Sequence, residues 1–159
     1  MKNEKSFRAA RCLLCALIFA TLSFIFINSL LPPSVSSEES ETVSGIIAQI
    51  FPPDTPFGTF ITENIRKIAH FLEFGLLGIE VAIYVALFKR KTAMWAPVSQ
   101  IFGFFVAFID ETLQIFSGRG AMIEDVWLDI FGFAALSSLA YITAFLIKNK
   151  IQSKENTNG

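Results

Sequence analysis

The sequence predicts an all-α integral membrane protein with four transmembrane helices and a short amphipathic surface helix in the first outer loop. Three observations predict it. First, 53% of the residues are hydrophobic, 18 of them Phe, and only 17% are charged, with a mean hydropathy of +0.54. A globule of this composition would be insoluble in water. Second, the apolar residues gather into four runs, each near the ~20 residues that cross hydrocarbon. Third, Lys and Arg fall in alternate loops, as they do in multi-pass proteins.

The first run, 12–31, carries no charge. A basic segment precedes it (Lys2, Lys5, Arg8, Arg11) and "SVSS" follows, as in a secretory leader. The run is longer than the ~7–15 residues of a leader's apolar core, which favours a retained helix. Cys12 and Cys15 form C-x-x-C in this run with no His or acid beside them, so buried, inert thiols are expected rather than a redox or metal pair. The second run, 65–88, contains Arg66, Lys67, His70, Glu73 and Glu80; the third and fourth are 94–116 and 126–147. Residues 1–11 and 148–159 are then polar tails flanking one membrane domain, 12–147.

Orientation follows from the basic residues. Lys2, Lys5, Arg8 and Arg11, then Lys89, Arg90 and Lys91, then Lys148, Lys150 and Lys154 all fall on one side of a four-span chain. Both termini are therefore expected in the cytoplasm. The opposite side holds Glu38, Glu39, Glu41, Asp54 and Glu63 in the first loop and Arg119 in the second.

Within the first outer loop, "PPSVSSEESE" reads as a turn and polar linker. Val43, Ile46, Ile47, Ile50 and Phe51 then recur on one helical face, stopped by Pro52-Pro53. This predicts a short helix lying on the outer membrane surface or packed on the bundle. Thr55-Pro56 is an N-cap with Pro in the first turn, so the second membrane helix is expected to begin near residue 56 and protrude.

Charges inside hydrocarbon are costly and must face one another. On the second span Arg66, His70 and Glu73 share a face at i, i+4, i+7; on the third, Asp110 and Gln114 do so at i, i+4, with Glu111 adjacent; on the fourth, Asp125 and Asp129 do so. The helices alternate in direction, yet all three place these faces in the same leaflet, while the opposite halves are mostly bare apart from Glu80. The spacing therefore predicts one outward-facing polar site with acids Glu73, Asp110, Glu111, Asp125 and Asp129 and bases Arg66, Lys67, His70 and Arg119.

Two blocks carry a family resemblance. "IRKIAHFLEFGLLG" (65–78) and "DETLQIFSGRGAMIEDVWLDIFG" (110–132) resemble the paired polar blocks of the VanZ-like family. "NSLLPPSVSSEES" is similar to that family's Ser-rich segment after the first span. The resemblance spans nearly the whole chain and implies a bacterial envelope protein. It carries the family's motif onto Arg66, Lys67, His70, Glu73, Asp110, Glu111, Gln114, Arg119, Asp125, Asp129 and Gly132. The family's founding member is associated with resistance to the glycopeptide teicoplanin; Glu80 and the two cysteines match nothing in its pattern.

Three functions fit these residues. The leading one is binding of an anionic envelope ligand, a lipid-linked cell-wall precursor or a lipoglycopeptide, by Arg66, Lys67 and Arg119. A membrane enzyme would use His70 with Glu73 and Asp110 for acid–base work on a lipid or cell-wall headgroup, although no G-x-S-x-G nucleophile motif and no nucleotide loop is present. A purely structural network would have Arg66 or Arg119 clamp Asp110 or Asp129. Membrane lipids are the expected partners, with no nucleic acid and no cofactor. His70 and Glu73 have the spacing of a bundle metal site, but one His is thin for a transition metal, and no metal is expected.

Overall fold

The computed structural model describes the backbone of residues 2–88, 92–120 and 122–157. The Lys89-Arg90-Lys91 cluster of the orientation argument lies outside the described residues, as do the side chains of Lys2 and Lys154. The described residues form six helices: α1 (Lys2–Leu30), α2 (Pro33–Ile50), α3 (Pro56–Glu63), α4 (Ile65–Phe88), α5 (Thr92–Phe116) and α6 (Ile123–Thr157). Four of them, α1, α4, α5 and α6, are long and apolar enough to cross a membrane.

Large apolar side chains cover the outside of these helices. Phe19, Leu72, Phe104, Phe108, Phe131 and Leu139 are all exposed, as expected where hydrocarbon is the solvent. The interior is small. Ile25 of α1, Phe74, Leu77, Val81 and Val85 of α4, Val106 and Ala107 of α5 and Phe133 of α6 form its apolar core.

Between α4 and α6, which run parallel, packing depends on absent side chains. A Cβ on Gly78 would lie 2.5 Å from the Phe133 carbonyl oxygen, and one on Gly132 would lie 2.5 Å from that of Phe71. Only glycine permits this approach, and close backbone contact is how membrane helices gain dispersion energy when lipid is as apolar as the interior.

Helix α1 begins well before its apolar run. Its first turns continue the helix through the basic segment, with the Phe7 ring edge-on to Phe88 at 4.7 Å and the Arg11 guanidinium 6.0 Å from the centre of the Tyr84 ring. The polar tail after residue 147 is likewise helical, as far as Thr157. Lys5, Arg8 and Arg11 at the start of α1 thus share one end of the bundle with Lys148 and Lys150 of α6. Cys12 and Cys15 are free and exposed on the surface of α1, not buried as the sequence reading expected. The apolar stripe of a membrane helix does not reveal which residues meet lipid.

The connection from α1 to α4 departs furthest from expectation. The Ser/Glu-rich stretch is not a linker but the first half of α2, which starts with Pro33 in its first turn. Pro fits that position because its missing N–H has no intrahelical partner there. Val43, Ile46 and Ile50 remain exposed, so the apolar face of α2 is not packed into the bundle. Thr55 caps α3 as expected, its hydroxyl accepting from the Gly58 N–H at 3.0 Å. The helix it starts ends at Glu63, and Asn64, whose side-chain amide donates to the Phe60 carbonyl at 2.8 Å, separates it from α4.

Candidate functional site

Residues from α1, α4, α5 and α6 and from the α5–α6 turn meet at the end of the bundle covered by α2. Asp110, Gln114 and Asp129 are wholly inaccessible there, Glu111, Arg119 and Asp125 are buried, and Arg66, His70 and Glu73 are half-buried. Of the ten residues expected to converge, Lys67 does not join them. It is exposed on α4, because its position one residue after Arg66 turns it about 100° away from the polar face.

Arg119 is positioned by the end of α5. Gly118 adopts a left-handed conformation (φ 80°), and the Arg119 N–H reaches back to the Gln114 carbonyl at 3.0 Å, the bond that closes a Schellman cap. The chain thereby turns inward and buries the guanidinium, which donates to the Asn28 carbonyl at 2.9 Å. Burial and the neighbouring Arg66 both pull the Arg119 pKa down from its ordinary value, against the pull of Asp110, Glu111 and Asp125. Arginine starts so high that it remains a cation.

A connected chain of contacts runs from the cations to the acids. Arg66 Nη2 donates to Gln114 Oε1 at 3.0 Å, and Gln114 Nε2 donates to Asp110 Oδ2 at 2.9 Å. The other Asp110 oxygen accepts from the Ser29 hydroxyl. His70 Nδ1 lies between two carboxylates, 3.4 Å from Asp129 Oδ1 and 4.0 Å from Asp110 Oδ2. Glu111 holds the start of the next segment by accepting from the Met122 N–H.

The arginine clamp that a purely structural network would use is not formed. Neither Arg66 nor Arg119 lies within salt-bridge distance of any carboxylate among the described residues, and the Nε of each is buried without a hydrogen-bond partner. Both arginines instead line a cavity of about 170 Å³, together with His70, Glu73, Ser29 and, from α2, Glu39. The i, i+4 spacing aligns acids and bases on faces but does not say which will touch. Here neutral acceptors, an amide and a backbone carbonyl, hold the guanidiniums, while Asp110 and Asp129 flank the imidazole.

Sequence reasoning missed the contribution of α1 and α2. Asn28 and Ser29 end an otherwise apolar run, at the depth where the polar faces of the other spans begin. That coincidence was a usable signal. Ser36, Glu39 and Ser40 of α2 line the cavity at i, i+3 and i+4, a helical period hidden by the loop-like composition of the stretch.

Glu80 lies outside this site. It is buried on α4 and accepts from the Thr21 hydroxyl at 3.0 Å, so it is paired within the bundle as a local feature. The other buried polar groups in the far half of the bundle are neutral: Gln100 donates to the Ser137 hydroxyl at 2.9 Å, and Ser99 and Tyr141 share a hydrogen bond of 2.9 Å.

The family model for VanZ/LLP1 matches residues 13–146. The chain belongs to the VanZ-like family. The match covers all four membrane-crossing helices and both polar blocks, so this VanZ-like protein is a multi-pass membrane protein whose buried charges lie inside the family region. No curated protein and no solved structure matches the chain.

Proposed function

We propose that this VanZ-like protein is a bacterial envelope protein that binds an anionic headgroup in the cavity beneath α2, on the outer face of the membrane. The observation that carries the reading is the pair Arg66 and Arg119. Two guanidiniums line one cavity, each held by a neutral acceptor and neither paired with an acid. Guanidiniums match phosphate or carboxylate with parallel donors. Ser29, Ser36, Ser40, Glu39 and Glu73 around them suit sugar hydroxyls or amines beside the charge. Lipid-linked cell-wall precursors and lipoglycopeptides such as teicoplanin combine these groups with an acyl or prenyl chain that the membrane would take up. The outward orientation is supported by the acidic α2–α3 side and by the basic residues gathered at the opposite end.

A second reading is supported by His70, which lies between Asp110 and Asp129 and also lines the cavity. An imidazole so placed is a candidate general acid or base, making the protein an enzyme acting on the same headgroup. Turnover by purified protein separates the two. Loss of product formation in His70→Ala with ligand affinity retained would favour the enzyme.

The binding reading is tested with the protein in detergent, by the thermal stabilisation that a polyprenyl phosphate or teicoplanin produces. Arg119→Gln should abolish stabilisation by the effective ligand. Equal stabilisation of the variant would remove the argument from the arginines. Orientation is tested separately: Gly120→Cys, with Cys12→Ser and Cys15→Ser, should react with an impermeant maleimide on intact cells. Protection there would place the cavity on the cytoplasmic side.

A further inference from the structure

The arginines line the cavity and leave the buried acids beside it unexplained. His70, which lines the cavity, and Asp110 and Asp129, buried behind it, each present a ligand atom, and the three atoms lie within 4.8 Å of one another. Both oxygens of Asp129, a residue with no accessible surface, lack any hydrogen-bond partner, and so does His70 Nδ1. A wholly buried carboxylate is costly to hold unless it is paired and hydrogen-bonded, and Asp129, in the span of α6, has the His70 imidazole at 3.4 Å but no hydrogen bond.

We propose that His70, Asp110 and Asp129 bind a divalent cation of the zinc or manganese type, reversing the sequence expectation of no metal. The geometry fits. With metal–ligand bonds of about 2.0–2.2 Å, neighbouring donors of a tetrahedral site stand about 3.3–3.6 Å apart. His70 Nδ1 and Asp129 Oδ1 are 3.4 Å apart, within that range; the 4.0 Å to Asp110 Oδ2 is wider, so Asp110 would close in by about half an ångström on binding. One imidazole and two carboxylates suit borderline divalent ions rather than copper(I) or calcium.

Surrounding groups behave as supports for such a centre. Asp110 is oriented by the Ser29 hydroxyl and the Gln114 amide, the outer hydrogen bonds that ligating carboxylates need. Charge points the same way. Five acids (Glu73, Asp110, Glu111, Asp125, Asp129) face two guanidiniums and one imidazole, and a dication offsets the excess. Three protein ligands leave a coordination position open, and His70 borders the cavity, so a water or an anionic oxygen of the bound headgroup completes the shell. The proposal goes beyond the ligand reading and does not depend on it: the centre stands on His70, Asp110 and Asp129 alone.

Metal analysis of the purified full chain, with no ligand added, tests it. After dialysis against zinc or manganese and removal of loose ions, the protein should retain about one ion per chain, as a three-ligand site does. Asp129→Asn and His70→Ala should lose it, whereas Lys67→Gln should keep it. Titration of the wild type with cobalt(II) should give saturable visible absorption, which decides the matter even where a variant fails to fold. A wild type that retains no ion and gives no cobalt spectrum overturns the proposal, leaving an imidazolium paired with Asp129. Retention that is equal in Asp129→Asn overturns it too, as binding elsewhere. Lipid-phosphate or teicoplanin stabilisation, measured on the same samples, fails or survives independently.

Discussion

The two ends of this bundle are built from the same four helices and solve the problem of polarity in hydrocarbon differently. At the end beneath α2, charged groups predominate, and several of their atoms have no protein partner. At the far end, the polar contacts are neutral and closed: Ser99 with Tyr141, and Gln100 with Ser137. Glu80, an acid in the far half, accepts from Thr21 with one oxygen while the other is buried without a partner. Most of the interhelical polar contacts there are nevertheless neutral. The other end gathers many more charges, and the proposed headgroup and cation sites are readings of that excess.

The largest expected effect comes from breaking what both ends share. Gly78→Leu would drive a side chain into the Phe133 backbone, which cannot yield as a side-chain tip can. The α4–α6 contact would open along its length. A loss of about 4 kcal/mol or more is expected, the range reserved for overpacked cores. It is read as disappearance of the monodisperse protein in size-exclusion chromatography. Gly45→Ala in α2, where nothing lies within 4 Å, should leave the elution unchanged.

Next in size is a pair of adjacent cations. Arg66→Gln removes a guanidinium that lines the cavity and holds Gln114. Binding of the headgroup should weaken roughly tenfold or more, from the loss of a charged hydrogen bond worth ~1.5–3 kcal/mol. Lys67→Gln, one residue on and exposed, should change affinity less than about twofold, the scale of an exposed charge. Isothermal titration of the two variants with the same lipid phosphate checks both. Equal losses would mean that general positive charge, and not the cavity, attracts the ligand.

That pair also marks how much was legible in the sequence. Four spans, their polar faces and the convergence of Arg66, His70, Glu73, Asp110, Gln114 and Asp129 follow from hydropathy and the helical repeat, because hydrocarbon tolerates so few arrangements of charge. Lys67 lies on the exposed side of α4, because the 100° step and not its basic character sets the face it occupies. The lining of Asn28, Ser29 and α2 was missed for another reason: short polar side chains carry little hydropathy signal, and Ser and Glu form a helix as readily as a linker. Which base touches which acid depends on crossing angles and backbone approach at Gly78 and Gly132, quantities set by packing and not by period.

The smallest effect compares one substitution at the two ends. Ser137→Ala deletes a hydroxyl that accepts from Gln100 at 2.9 Å; interhelical bonds of this kind in membranes average about 0.6 kcal/mol. Ser29→Ala deletes the donor to Asp110 Oδ1, one of two hydrogen bonds to a wholly buried carboxylate. Stranding such an acceptor costs about 1–3 kcal/mol. Thermal unfolding in detergent should therefore rank Ser29→Ala below Ser137→Ala. The ranking also tests the proposed cation site. If a cation neutralises Asp110, adding zinc or manganese should restore part of the stability of Ser29→Ala and none of that of Ser137→Ala, since only the first lies in contact with the proposed centre. A metal-independent gap between the two variants would mean that the Ser29 hydroxyl acts on the carboxylate alone.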